Sequence, residues 1–223
     1  MSDQIVLSVK EESYDRNEWC TPSPYIEAVR AVFGGYIDLD PASTSRANHH
    51  INARRYFTKE NSALDKDWGP LGRVTATSLN AEQVGLQPPV TIFLNPPYGR
   101  GLIDAFVDKF IREWYEDKIE QAIILTNNST ETKWAQNLLR SAKAICMPDH
   151  RIQFKHPDPS LKGKASNRQA QLFFYFYSTR TQRHLDAQLK AGGLHHIDPK
   201  LIGALRIQSF CDNFCKFGFC SKI

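Results

Sequence analysis

Asn95, Pro96, Pro97 and Tyr98 are the residues of this chain best suited to chemistry. An asparagine side-chain oxygen and the carbonyl of the following proline can each accept one N–H from a substrate amine. Between two such acceptors, an exocyclic amine conjugated to an aromatic ring is favoured in a pyramidal form, its lone pair aimed at an electrophile. Tyr98 offers a face on which that ring can stack. The chemistry suited to this set is group transfer to a ring-bound amine. It requires neither metal nor strong base, because the amine sheds its proton after transfer.

The preceding Thr91-Ile92-Phe93-Leu94 is an apolar run rich in β-formers, and it stops at two prolines that cannot continue a sheet ladder. This predicts a buried strand ending in a rigid loop, with Asn95 held extended by Pro96. At the carboxyl end of a parallel strand, such a loop lies where α/β proteins bind ligands. Beyond a flexible Gly99-Arg100-Gly101 exit, Ile103, Phe106, Val107, Phe110 and Trp114 recur at helical spacing within a helix expected from about 102 to 118. The next buried strand, 121–126, ends in Asn127-Asn128-Ser129-Thr130. An Asx turn and a helix cap account for Asn128 and Thr130, and Trp134 either closes a pocket or packs.

Upstream, Ser23 is the expected cap and Pro24 the first residue of a helix whose Ile26, Val29 and Phe33 share one face before Gly34-Gly35 ends it. Residues 36–43 read as a strand ended by Pro41. Asp38 and Asp40 point to one side of it, and Asp40 stands at its carboxyl end. Short strands are expected at 143–147 and 151–154, and an aromatic-rich central strand at 171–178. The alternation of helix and strand predicts a three-layer α/β fold.

Taken together, Trp19-Cys20-Thr21-Pro22, Asp38-Leu39-Asp40-Pro41-Ala42, Ala63-Leu64 with Asp67-Trp68, Asn95-Pro96-Pro97-Tyr98 and the run from Asn127 to Trp134 resemble the Dam-type phage DNA adenine-N6 methyltransferases. The resemblance covers roughly residues 17–178. It implies a Rossmann-like class I methyltransferase fold with a mostly parallel seven-stranded sheet whose last strand is antiparallel. It also implies S-adenosylmethionine as cofactor and a flipped adenine in DNA as substrate, in a cytoplasmic setting such as restriction-modification. Asn95, Pro96, Pro97 and Tyr98 would then be catalytic. Trp19, Thr21 and Pro22 would line the cofactor pocket, Asp40 would take the cofactor ammonium with Pro41 and Ala42 beside it in the cofactor site, and Asn61, Ser62 or Asp65 would lie near its adenine. Arg100, Asn127, Asn128 and Trp134 would face DNA. Two departures stand out: Asp-Pro-Ala-Ser replaces the glycine-rich turn of many methyltransferases, and an interval over 69–89 separates Trp68 from the catalytic strand. The Asn-Pro-Pro-Tyr motif is shared with enzymes acting on RNA bases and protein glutamine. Cytosine N4, those two substrates, and a non-catalytic DNA-binding protein are therefore the alternatives.

A length of 223 residues suits one larger α/β domain over 17–180, with an irregular lead-in over 1–16 and a C-terminal helix and tail over 181–223 packed on it. Net charge is +4 and pI about 8.8, compatible with a nucleic-acid partner without requiring one. No apolar run is long enough to span a membrane. Five unevenly spread cysteines form no secreted disulfide framework. Cys211, Cys215 and Cys220, with His195 and His196, lack the paired spacing of a zinc site, and apolar packing is the simpler account. His49 and His50 read as surface residues, and Arg54 and Arg55 as a basic pair able to meet phosphate.

Lys162, Lys164 and Arg168 lie among breakers near the expected catalytic edge, a composition that suits either a DNA clamp or a solvated loop. If each touches one phosphate, neutralising all three should reduce the log–log salt slope of DNA binding by roughly 0.9 per residue. Anisotropy titrations across a salt series read this directly, and an unaltered slope would leave the loop as solvated surface.

Overall fold

The computed structural model describes residues 19–70, 90–99, 101–156, 158, 160, 169–178 and 199–223. The expected lead-in, most of the 69–89 interval, Arg100, Lys162, Lys164, Arg168, His195 and His196 lie outside the described residues.

Five helices and seven strands follow in the order α1 (Ser23–Val32), β1 (Ile37–Asp40), α2 (Ser45–Ile51), β2 (Ala53–Tyr56), β3 (Val90–Leu94), α3 (Leu102–Tyr115), β4 (Ile119–Asn127), α4 (Lys133–Ser141), β5 (Ala144–Pro148), β6 (Gln171–Tyr177), α5 (Pro199–Phe214) and β7 (Gly218–Lys222) among the described residues. The strands form one mixed sheet in the order β2-β1-β3-β4-β6-β5-β7. Strands β2, β1, β3 and β4 are parallel, while β6 runs antiparallel to both β4 and β5, and β7 antiparallel to β5. Two strands therefore run against the rest, where the sequence led us to expect one.

Alternation along the strands divides the core between two faces. Ile92, Leu94, Ile124, Phe174 and Phe176 pack with Phe106 and Phe110 of α3 and with Trp134 and Leu138 of α4. Phe93, Ile123, Leu125, Phe173 and Tyr175 face the opposite side, against Tyr25, Ile26 and Val29 of α1 and Phe210 and Phe214 of α5. Burial on both faces explains why β3 and β4 read as continuous apolar runs.

Local differences have local causes. Helix α1 begins one residue earlier than expected, with Pro22 rather than Ser23 at its cap, and Tyr25 N–H donates to the Pro22 carbonyl. Strand β2 was not anticipated because Ala-Arg-Arg-Tyr looks polar. At the sheet edge, however, Arg54 lies 3.7 Å over the Tyr36 ring and 3.2 Å from Asp38, while Arg55 donates to the carbonyls of Trp68 and Gly69 at 2.9 and 2.6 Å. Residues 151–154 form no strand. The Ile152 N–H donates to the Gln171 side chain, and Lys155 makes an isolated bridge to Cys20. Gly218 admits no side chain, since a Cβ there would lie 2.2 Å from the Met147 carbonyl oxygen.

Asp38 links β1 to β3: its carboxylate accepts the Thr91 N–H at 2.9 Å and hydroxyl at 3.0 Å, and its own N–H donates to the Thr91 hydroxyl oxygen at 3.1 Å. At the far edge Cys146 and Cys220 are cross-strand partners, and burial pushes the Cys211 thiol up to about 11. Among the described residues, no group of three or more His, Cys, Asp or Glu side chains is placed to hold a metal ion, and no helix is long and apolar enough to cross a membrane.

Helix α5 contributes to the core rather than lying on it. Phe210 is wholly buried, its ring stacked 4.9 Å from that of Tyr175. Phe210→Ala should cost about 3 to 5 kcal/mol. In urea unfolding, a single earlier transition is expected; a separate early step would mean that the C-terminal segment folds apart from the sheet.

Candidate active site

Parallel pairing brings the carboxyl ends of β1, β3 and β4 to one edge of the sheet. Chain order reverses between β1 and β3, because β1 is followed by β2 on one side and flanked by β3 on the other. Crevices of this kind, where neighbouring connections diverge, are where open α/β sheets receive ligands. Asp40 ends β1 on one flank of the crevice, and Asn95 follows β3 on the other.

Asp40 is 2% exposed. The Ala42 N–H donates to its carboxylate at 3.1 Å, and Ser43 supplies a further side-chain hydrogen bond. Burial raises the carboxyl to about 6, against the downward pull of those two donors. No cation pairs with it among the described residues, and a desolvated carboxylate of this kind is a strong acceptor for a positively charged ligand. Pro41 is buried and Ala42 half-buried beside it.

Asn95 is half-buried, and its amide nitrogen donates to the Thr21 hydroxyl oxygen at 3.4 Å. Its side-chain oxygen is wholly enclosed and has no hydrogen-bond partner among the described residues. A buried acceptor left unmatched costs free energy, so a donor is the natural complement at this point. Pro96 is buried and Pro97 half-buried. Tyr98 is 43% exposed, yet its hydroxyl points inward toward the Leu125 carbonyl at 3.4 Å, and burial pushes that phenol above its ordinary value. The oxygen is enclosed while the ring remains accessible, an arrangement that presents an anchored aromatic surface.

Thr21 and Pro22 reach this edge from the start of α1 and are buried. The Cys20–Lys155 bridge fixes them through two backbone hydrogen bonds of 2.8 and 3.0 Å. Trp19 is half-buried, 4.7 Å edge-on from the His156 ring, whose Nδ1 accepts the Asp158 N–H. Asn61 and Ser62 lie in the loop that leaves the carboxyl end of β2, the same edge as Asp40. The Asn61 side-chain oxygen already accepts the Thr58 N–H at 2.6 Å and so closes its own loop.

At the end of β4, Asn128 is exposed, whereas the Asn127 oxygen accepts from Gln171 at 3.3 Å. Trp134 is buried in the core under α4. Gln171 escaped the sequence reading. Buried at the start of β6, it also accepts the Ile152 N–H and donates to the Gln169 carbonyl, tying three segments together at this edge. Its one signal is a glutamine opening an aromatic-rich strand.

The family model described as DNA N-6-adenine-methyltransferase (Dam) matches residues 8–191. No curated protein gives a significant match to the chain.

Burial of Asp40 has a pH signature. The native chain holds that proton more tightly than the unfolded chain, so stability should fall as pH rises from the ordinary carboxylate range through about 6 and stay lower above it. Asp40→Asn preserves the acceptor oxygen while removing the buried charge. It should melt at higher temperature than the wild type at pH 7.5, and the gap should close near pH 4. Equal melting at both values would mean that the carboxylate is not desolvated.

Proposed function

Given that the chain belongs to the Dam family of DNA N-6-adenine-methyltransferases, we propose that it transfers a methyl group from S-adenosylmethionine to N6 of an adenine turned out of DNA. The observation that carries this reading is the buried, unmatched oxygen of Asn95 at the crevice, opposite the buried carboxylate of Asp40.

The residues present fit the cofactor. Asp40 offers a desolvated carboxylate to its ammonium, Trp19 and Pro22 supply apolar walls, and the Asn61-Ser62 loop stands at the same edge for its adenine. When bound, the cofactor supplies an electrophilic methyl carried on a sulfonium.

Asn95 Oδ1 and the Pro96 carbonyl accept the two N–H groups of adenine N6, withdrawing its lone pair from ring conjugation. Tyr98 stacks on the base, with its hydroxyl tethered at Leu125 so that the ring has little freedom to turn. A paired base cannot reach these groups. The target must therefore leave the duplex at a cost of a few kcal/mol, partly offset by the stack. The rigid Asn-Pro-Pro backbone holds both acceptors in place before the base arrives. Asn128, exposed at the end of β4, and Arg100, Lys162, Lys164 and Arg168 are candidate DNA contacts. Asn127, fixed by Gln171, and Trp134, packed in the core, would act by supporting that edge.

Asn95→Ala should lower methylation by about 10²-fold or more at saturating cofactor, the scale of losing a preorganised transition-state hydrogen bond. Cofactor affinity should barely change. Tritiated methyl transfer to DNA followed by nucleoside analysis reads both the rate and the product. Equal N6-methyladenine from the two proteins would remove Asn95 from the catalytic centre.

A further inference from the structure

We propose that Thr21 is a positioning residue that acts on the reaction through Asn95, holding its amide so that the oxygen faces the incoming amine. This rests on the reaction proposed above and assigns a role to a side chain that does not itself touch the base.

An asparagine amide can turn about its last bond, and only one of its two ends can accept an N–H. In this site the Nδ2 end lies 3.4 Å from the Thr21 hydroxyl oxygen, and the Oδ1 end is enclosed with no partner among the described residues. The two prolines fix the backbone of Asn95, but they cannot fix its side-chain torsions. Thr21 is the one side chain among the described residues that receives a hydrogen bond from this amide.

Thr21 is well built for the task. It is 2% exposed, so no water competes freely for its hydroxyl. Its backbone is gripped on one side by the double hydrogen bond between Cys20 and Lys155, and on the other by Pro22 at the cap of α1. A β-branched residue in that setting has little rotamer freedom. The anchor therefore comes from a segment 74 residues away in sequence and ties the entry to α1 to the exit of β3. A hydroxyl could satisfy either end of the amide. In this structure Thr21 takes the Nδ2 end, which fixes the amide plane and leaves Oδ1 as the end still without a donor for the amine of the base.

Thr21→Val keeps shape and removes the hydroxyl, while Thr21→Ser keeps the hydroxyl. Loss of the partner should lower kcat roughly ten- to a hundredfold in Thr21→Val, with KM for S-adenosylmethionine nearly unchanged and Thr21→Ser close to wild type. In an Asn95→Ala background the valine substitution should add little, as expected for two residues acting as one unit. A readout independent of turnover is the side-chain NH₂ pair of Asn95 in ¹H–¹⁵N spectra of the free protein, assigned by its absence in Asn95→Ala. It should shift in Thr21→Val and hold in Thr21→Ser.

Weakened cofactor binding with kcat retained would overturn the proposal and make Thr21 a cofactor contact. Equal damage by serine and valine would overturn it in favour of packing. Unmoved amide resonances with unchanged kcat would show that Thr21 does not hold the amide. Absence of methyl transfer by the wild-type chain would overturn the reaction itself and this role with it, an outcome the spectra distinguish because they report the contact without turnover.

Discussion

Two adjacent prolines at the end of a buried strand are the constraint on which the rest depends. Pro96 and Pro97 lack the N–H groups needed to continue the ladder, so the chain must leave the sheet at Asn95 while β4 alongside continues to Asn127. The exit falls beside the parting of connections between β1 and β3. The strand ends thus part where pairing stops, with Asp40, the last residue of β1 and paired with Tyr56, on one side and Asn95, just past β3, on the other. Asp38 offsets the weakness of that parting: its carboxylate and N–H bond Thr91 across a join where Leu39 and Ile92 are the paired residues.

The crevice holds two groups that the folded chain leaves incompletely matched, the Asp40 carboxylate and the Asn95 amide oxygen. Each raises the free energy of the native state by an amount on the order of a lost hydrogen bond or more. The aromatic packing on both faces tolerates this. Tyr175 and Phe210 stack nearly parallel, and Phe110 and Phe176 meet edge to face 4.8 Å apart on the other side of the sheet. A stiff sheet holds the Asn95 oxygen away from protein donors among the described residues, while Asp40 keeps the hydrogen bonds of its own turn. Preorganisation of this kind is costly in the free protein and returned only on binding.

What was legible in the sequence follows from how local the governing interactions are. The strand before Asn95 and helix α3 announced themselves because apolar periodicity and proline chemistry act within a few residues. Strand β2 was hidden because its arginines are satisfied by Tyr36, Asp38 and the Trp68–Gly69 carbonyls, partners visible only after folding. The reversed direction of β7 depends on where α5 delivers the chain, and no pattern within Gly218–Lys222 encodes it. At the site, Asp40 could be found from its position at a strand end. The link from Thr21 to Asn95 could not, since it spans two segments that periodicity treats as unrelated, and Gln171 joins three others in the same way.

The absence of a glycine-rich turn after β1 has a physical rationale in the same hydrogen bonds. Glycine-rich turns at strand ends leave backbone N–H groups open, which suits the phosphates of a nucleotide. Here the turn is closed by its own side chain. Asp40 accepts the Ala42 N–H, its carbonyl accepts the N–H of Phe57, and Ser43 N–H donates to the Phe57 carbonyl. These bonds bind the turn to the exit of β2 and leave few donors facing outward. The turn consequently presents net negative rather than positive character to the crevice. An aspartate followed by proline achieves this without positive φ, because the carboxylate supplies the turn's hydrogen bond and the proline fixes the next residue. A buried carboxylate in such a turn suits a cationic group better than a phosphate, in keeping with the ammonium proposed for it.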